Sequence, residues 1–216
     1  MKTIFTAIFG PYDDLKEPKV ITPGWEYVCF TDQPLKSKVW KIEHREMKPE
    51  GATRTARFYK IMFHRHIDTE FSMWIDASFV INTDLNEWWK RFKEPMTCVG
   101  HPVRNCAYQE ARICTNRGKD SEILLRKQVF NYRQSGLPKH NGLIASGVLM
   151  RKMNQQAIDL CDLWYQQVQL YSSRDQIAFA YAAWRQPSFH VIDWDYRNNN
   201  EFIHIPHIHN RKPETI

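Results

Sequence analysis

Short apolar runs, each broken by glycine, proline or aspartate, alternate along this chain with amphipathic segments, and that alternation limits the fold more than any other feature. Residues 3–9 form a β-rich run stopped by Gly10-Pro11, and residues 25–31 (WEYVCFT) a second run closed by Asp32-Gln33-Pro34. Residues 39–43 read as a third strand, 71–76 (FSMWID) as a fourth, 96–101 as a fifth, 147–151 as a sixth and 189–193 as a seventh. Between them, helical spacing of Ala56, Phe58, Tyr59, Met62 and Phe63 predicts a helix over 53–66. Asp84 is placed to cap a short helix, and further helices are expected over 121–135, over 154–171 and from about Arg174. Strands alternating with helices imply an α/β fold with a mostly parallel sheet covered on both faces, whose ligands bind at the carboxyl ends of the strands. Gly10-Pro11-Tyr12, Asp32 and Asp76-Ala77-Ser78 all fall at such ends.

A chain of 216 residues with 43% hydrophobic and 25% charged residues can bury a substantial core and is not a disordered chain. One domain over 1–216 is expected, with 195–216 an irregular tail closing over the site. The net charge of +6 is spread along the chain, so it does not by itself separate a polyanionic acceptor from a nucleotide diphosphate. Five cysteines with no CxxC pair argue against a disulfide framework or a structural zinc site. No signal peptide and no run of ~18–20 apolar residues is present, so no membrane span is expected and the cytoplasm is the expected compartment.

Residues 56–89, ARFYKIMFHRHIDTEFSMWIDASFVINTDLNEWW, join a basic helix to an apolar strand that ends in an acidic residue and two small ones. Residues 143–150 read LIASGVLM, and Ser173-Arg174-Asp175-Gln176 opens a helix. Taken in order, these segments resemble the retaining GT-A glycosyltransferases related to glycogenin. They resemble more closely a glycosyltransferase-like family, represented in plants, with a WxDAS strand end and an RDQ motif. The resemblance implies a GT-A (Rossmann-like) fold, a nucleotide diphosphate-sugar donor, UDP-linked, and transfer with retention to an acceptor hydroxyl.

The same resemblance implies the site. Asp76 stands where a DxD motif holds Mn²⁺ or Mg²⁺ on the diphosphate, but Ser78 replaces the second carboxylate. Asp175 and Gln176 take the catalytic DQ positions; an N-terminal capping role for Asp175 is the structural alternative. Arg54, Arg57 and Lys60 on the preceding helix are candidates for the diphosphate, because a guanidinium fork binds two oxygens at once. Gly10, Tyr12 (or Asp13) and Asp32 would line the nucleotide pocket, and Ser78, Ser146 and Gly147 would approach the donor. The tail His204-Ile205-Pro206-His207-Ile208-His209-Asn210-Arg211-Lys212-Pro213 is similar to a closing HxxGxxKP motif. His207 and His209 would then complete the metal site and Lys212 would meet the diphosphate. His101, Arg104 and Glu110 are assigned to the sugar or acceptor side. The acceptor reads as a glycan, a protein or a modified base of nucleic acid such as phage DNA. A silent nucleotide-sugar-binding domain is the alternative of another class. Two-metal hydrolysis ranks last because the carboxylates are not clustered.

Overall fold

The computed structural model describes residues 1–11, 13–195 and 198–205. Seven strands form one sheet: β1 (Lys2–Ile8), β2 (Trp25–Thr31), β3 (Lys41–His44), β4 (Phe71–Ile75), β6 (Met96–Gly100), β7 (Ile144–Lys152) and β8 (His190–Ile192). Their order is β3-β2-β1-β4-β7-β6-β8. Only β7 runs against its neighbours, so the sheet is mostly parallel as expected. β5 (Phe79–Ile81) and β9 (Phe202–His204) form a separate antiparallel pair.

Alternation along β1 shows how the sheet divides the core. Phe5, Ala7 and Phe9 join a cluster on one face with α1 (Ala52–Ile61), α5 (Gln155–Leu170) and α6 (Asp175–Arg185). Ile4 and Ile8 face the other way, towards α2 (Leu85–Trp89), β5 and Phe202 of β9. α3 (Ala107–Asn116) and α4 (Glu122–Gln134) enclose a third cluster with α6. Asp84 caps α2 by accepting the Asn86 N–H at 2.8 Å, and Asn154 caps α5 by accepting that of Ala157 at 3.0 Å.

Three departures from the sequence reading have local causes. The helix expected over 53–66 ends at Ile61, because Met62 leaves helical geometry and a 3₁₀ turn follows at Phe63–Arg65. That turn folds the His66 ring back against Tyr59, where Nε2 meets the Tyr59 carbonyl at 2.7 Å. The strand expected over 147–151 begins earlier, at Ile144, so Ser146 and Gly147 lie within β7. α3 and the strands β5 and β9 were not predicted: their runs are short, and β5 pairs only with a segment more than a hundred residues away. Among the described residues no helix is long and apolar enough to cross a membrane.

Candidate active site

Asp76 immediately follows β4, and its backbone N–H donates to the Gly147 carbonyl of antiparallel β7 at 2.8 Å. This contact sets the carboxylate against Ser146 and Gly147. A Cβ on Gly147 would come within 2.9 Å of Phe79 Cε2 and 3.4 Å of Asp76 Oδ2, so only glycine fits there. Asp76 Oδ1 accepts from Trp74 Nε1 at 2.7 Å and from Lys60 Nζ at 3.2 Å.

Lys60 is fully buried, yet three oxygens surround its ammonium. Besides Asp76, it donates to Ser146 Oγ at 3.0 Å and pairs with Asp175 Oδ2 at 2.8 Å. The Ser146 hydroxyl donates to the same Asp175 oxygen at 2.9 Å, and Arg57 Nε lies 3.4 Å from it. Burial alone would raise the Asp175 pKa, but Arg57, Lys60 and Arg174 together hold it well below the usual carboxylate range. Asp175 belongs to the first turn of α6 and is not its cap, which is Arg174. Its Oδ1 accepts the N–H of Gln176 at 3.1 Å, and its carbonyl accepts Trp164 Nε1–H at 2.8 Å. Gln176 Nε2 donates to the Ile144 carbonyl at 2.8 Å, which fixes its amide beside β7.

Two cavities meet at this cluster. One, about 440 Å³, has an apolar side made by Ala7, Ile8, Phe9, Ala52 and Ala56. The other, about 650 Å³, is bordered by Ser78, Ser146, Gly147, Gln176, Phe79 and His204. Arg57, Asp76, Lys119 and Arg174 border both. Arg57 and Arg174 each bury an Nε with no hydrogen-bond partner. Burial lowers the Arg174 pKa, but Asp175, Cys114 and Glu110 outweigh it and the guanidinium stays charged.

The other residues singled out in the sequence fall in three places. Arg54 turns away from the cleft and donates to the carbonyls of Val168 and, at 2.7 Å, Tyr171, so the face shared by two cations of α1 is that of Arg57 and Lys60. Gly10, with φ 63°, donates its N–H to Asp32 Oδ1 at 2.9 Å. That oxygen also accepts from Gln33 Nε2 at 2.8 Å, and neither Gly10 nor Asp32 borders either of these two cavities. His101, Arg104 and Glu110 do converge. Arg104 Nε pairs with Glu110 Oε2 at 2.5 Å, and Arg104 Nη2 lies 3.1 Å from His101 Nε2. This group stands behind Arg174 and borders neither cavity. Burial would raise the Glu110 pKa, but Arg104 draws it down, leaving a carboxylate to face Arg174. Tyr12, His207, His209 and Lys212 lie outside the described residues. Arg174, Lys119, Arg117 and His204 were not picked out as ligands; only Arg174 carried a signal, as the residue preceding Asp175 in the RDQ motif.

The described residues do not fit a divalent cation. Asp76 Oδ1 is engaged twice, Ser78 brings no charge, and the Lys60 ammonium sits 3.2 Å from the carboxylate that would hold the ion. Among the described residues no three His, Cys, Asp or Glu side chains cluster as a metal site.

Known proteins resemble this chain in sequence and in fold. The probable hexosyltransferase MUCI70 of Arabidopsis thaliana is 24% identical over an alignment of 209 positions that covers 82% of this chain and 36% of that protein. The chain thus spans little more than a third of that relative. Among solved structures, mouse xyloside xylosyltransferase 1 in its apo form matches with a TM-score of 0.53 at 11% identity, covering 89% of this chain and 86% of that one. That likeness shows the fold, a GT-A glycosyltransferase-like α/β fold. A family model described as the TOD1/MUCI70 glycosyltransferase-like domain matches residues 2–193, and the chain belongs to that family.

Proposed function

We propose that this chain transfers a sugar from a nucleotide diphosphate-sugar, UDP-linked, to an acceptor hydroxyl with retention of anomeric configuration. The observation that carries the reading is the convergence of Arg57 and Arg174 where the two cavities meet, each side chain bordering both. Two guanidinium groups on one wall suit a diphosphate, because each planar fork can bind two of its oxygens at once. The apolar side of the smaller cavity suits a nucleoside, and the polar rim of the larger one suits a sugar and its acceptor.

In the proposed step the anomeric C–O bond to the diphosphate breaks while a new C–O bond forms to the acceptor oxygen on the same face. The acceptor proton passes to the departing diphosphate. Arg57, Arg174 and the buried Lys60 meet the developing negative charge from a fixed, water-poor setting, where such charges act strongly. Asp175 keeps those cations in place and needs no reactive role of its own. The five described cysteines, all free and buried, support a reducing compartment such as the cytoplasm.

Thermal unfolding with UDP, GDP, CDP and ADP, each with and without Mn²⁺, tests the reading. A ligand at ~100 times its Kd adds about 2.7 kcal/mol, so a clear Tm rise is expected with UDP alone and its loss in Arg57→Ala. A rise that requires Mn²⁺ would return the metal role to Asp76 with His207 and His209. No rise with any nucleotide overturns the donor assignment. Retention is read by NMR of the product anomer; an inverted product overturns it. Acceptor binding that falls steeply with salt would select nucleic acid over glycan or protein.

A further inference from the structure

The turn between α3 and α4 carries two cations that the step above leaves unused. Its backbone is a closed helix cap: Lys119 N–H donates to the Cys114 carbonyl at 2.9 Å and Gly118 N–H to that of Thr115 at 3.0 Å. Gly118 sits at φ 58°, the left-handed geometry such a cap needs. The next residue, Asp120, is fixed from the other side. Its Oδ2 accepts the Ser173 N–H at 2.7 Å and the Ser173 hydroxyl at 2.6 Å. Ser173 directly precedes Arg174, so the turn is tied to the segment that carries a guanidinium bordering both cavities.

Arg117 and Lys119 are exposed, and neither side chain hydrogen-bonds or ion-pairs with another group among the described residues. Lys119 borders both cavities; Arg117 borders only the larger. An ammonium fixed at its root beside two guanidinium groups, with no counter-ion of its own, waits for an anion. Building on the nucleotide-diphosphate reading, we propose that Lys119 is a direct ligand of the donor diphosphate, held in position by the Asp120–Ser173 link, and that Arg117 serves the larger cavity instead.

Calorimetric titration of the full chain with UDP, uridine and inorganic pyrophosphate at one ionic strength tests this assignment. Lys119→Ala should weaken UDP and pyrophosphate about tenfold or more and leave uridine unchanged. Asp120→Ala, which keeps the Lys119 charge but frees its turn, should weaken UDP by roughly threefold or more. Arg117→Ala should leave UDP within about twofold. Wild-type affinity for UDP in Lys119→Ala overturns the proposal alone. So does an equal loss in Arg117→Ala, which would mean a diffuse field, or a parallel loss of uridine. Wild-type protein that binds neither UDP nor pyrophosphate overturns the donor reading and this proposal together.

Discussion

The Asp175 carboxylate is buried and balanced by Arg57, Lys60 and Arg174. Its Oδ2 is shared by Lys60, Ser146 and Arg57, while its Oδ1 accepts the Gln176 N–H, so both oxygens are already engaged. Removing its charge strands cations in the interior, and breaking a buried pair costs about 3–5 kcal/mol. Asp175→Asn is therefore expected to lose stability on that scale in urea melts, together with donor hydrolysis. Gly147 is a second position where a small change has a direct cost. A methyl group 2.9 Å from the buried Phe79 ring must push ring or strand aside, so Gly147→Ala should destabilise by about 1–3 kcal/mol in the same assay. Both residues were legible in the sequence because each belongs to a local motif, Ser146-Gly147 in a strand and Asp175-Gln176 at a helix start. Lys119 was not, since a lysine after a helix-capping glycine looks like any surface residue until Asp120 is seen bound to Ser173.

Helix α1 carries cations of two different kinds, and helical spacing alone does not sort them. Arg54 and Arg57 are three residues apart, as are Arg57 and Lys60, so either pair can share a face. Packing decides between them: α1 lies against α5, whose last carbonyls take the Arg54 guanidinium, and Arg57 and Lys60 are left to converge on Asp175. Orphan carbonyls at a helix end are natural partners for an arginine. Arg54→Ala should cost about 1–3 kcal/mol of stability, as hydrogen bonds to a charged group do, and leave the Kd for UDP unchanged. Arg57→Ala should weaken UDP strongly, and it should also lose stability because it takes a charge partner from Asp175. Calorimetry beside denaturant unfolding separates the two roles, and a large loss of UDP affinity in Arg54→Ala would contradict this division. The strand ends were readable from Gly10-Pro11, Asp32 and Asp76, whereas the β5–β9 pair depends on contacts between distant segments that no local pattern announces.

At the scale of the molecule, the one reversed strand, β7, brings Ser146 and Gly147 back to the carboxyl end of β4, where a parallel sheet places its ligands. The same sheet carries an acid-sensitive spot on its α1 face. His66 packs among Phe5, Phe30, Phe58 and Tyr59, with ring centroids 6.0, 4.9, 5.9 and 4.8 Å away. Burial pushes its pKa down from 6.5 to about 3; the Tyr59 carbonyl opposes that shift, and Arg151, His64 and Arg45 add to it. A histidine with a depressed folded pKa binds its proton more readily when unfolded. Its neutral form thus contributes stability in full above pH 6.5, and that contribution drains away as pH falls towards about 3. Asp175 has the same sign but acts lower, below the usual carboxylate range, so the acid limb of the stability curve should show the buried histidines first, His66 and with it His64, whose pKa burial also lowers. Replacing the His66 imidazole by a ring that cannot take a proton removes its share of that limb. In urea titrations from pH 7 to pH 4, His66→Phe should therefore lose less stability than wild type across the interval, even if it starts lower for want of the Tyr59 contact. Parallel pH curves for the two proteins would show that another group governs the acid response.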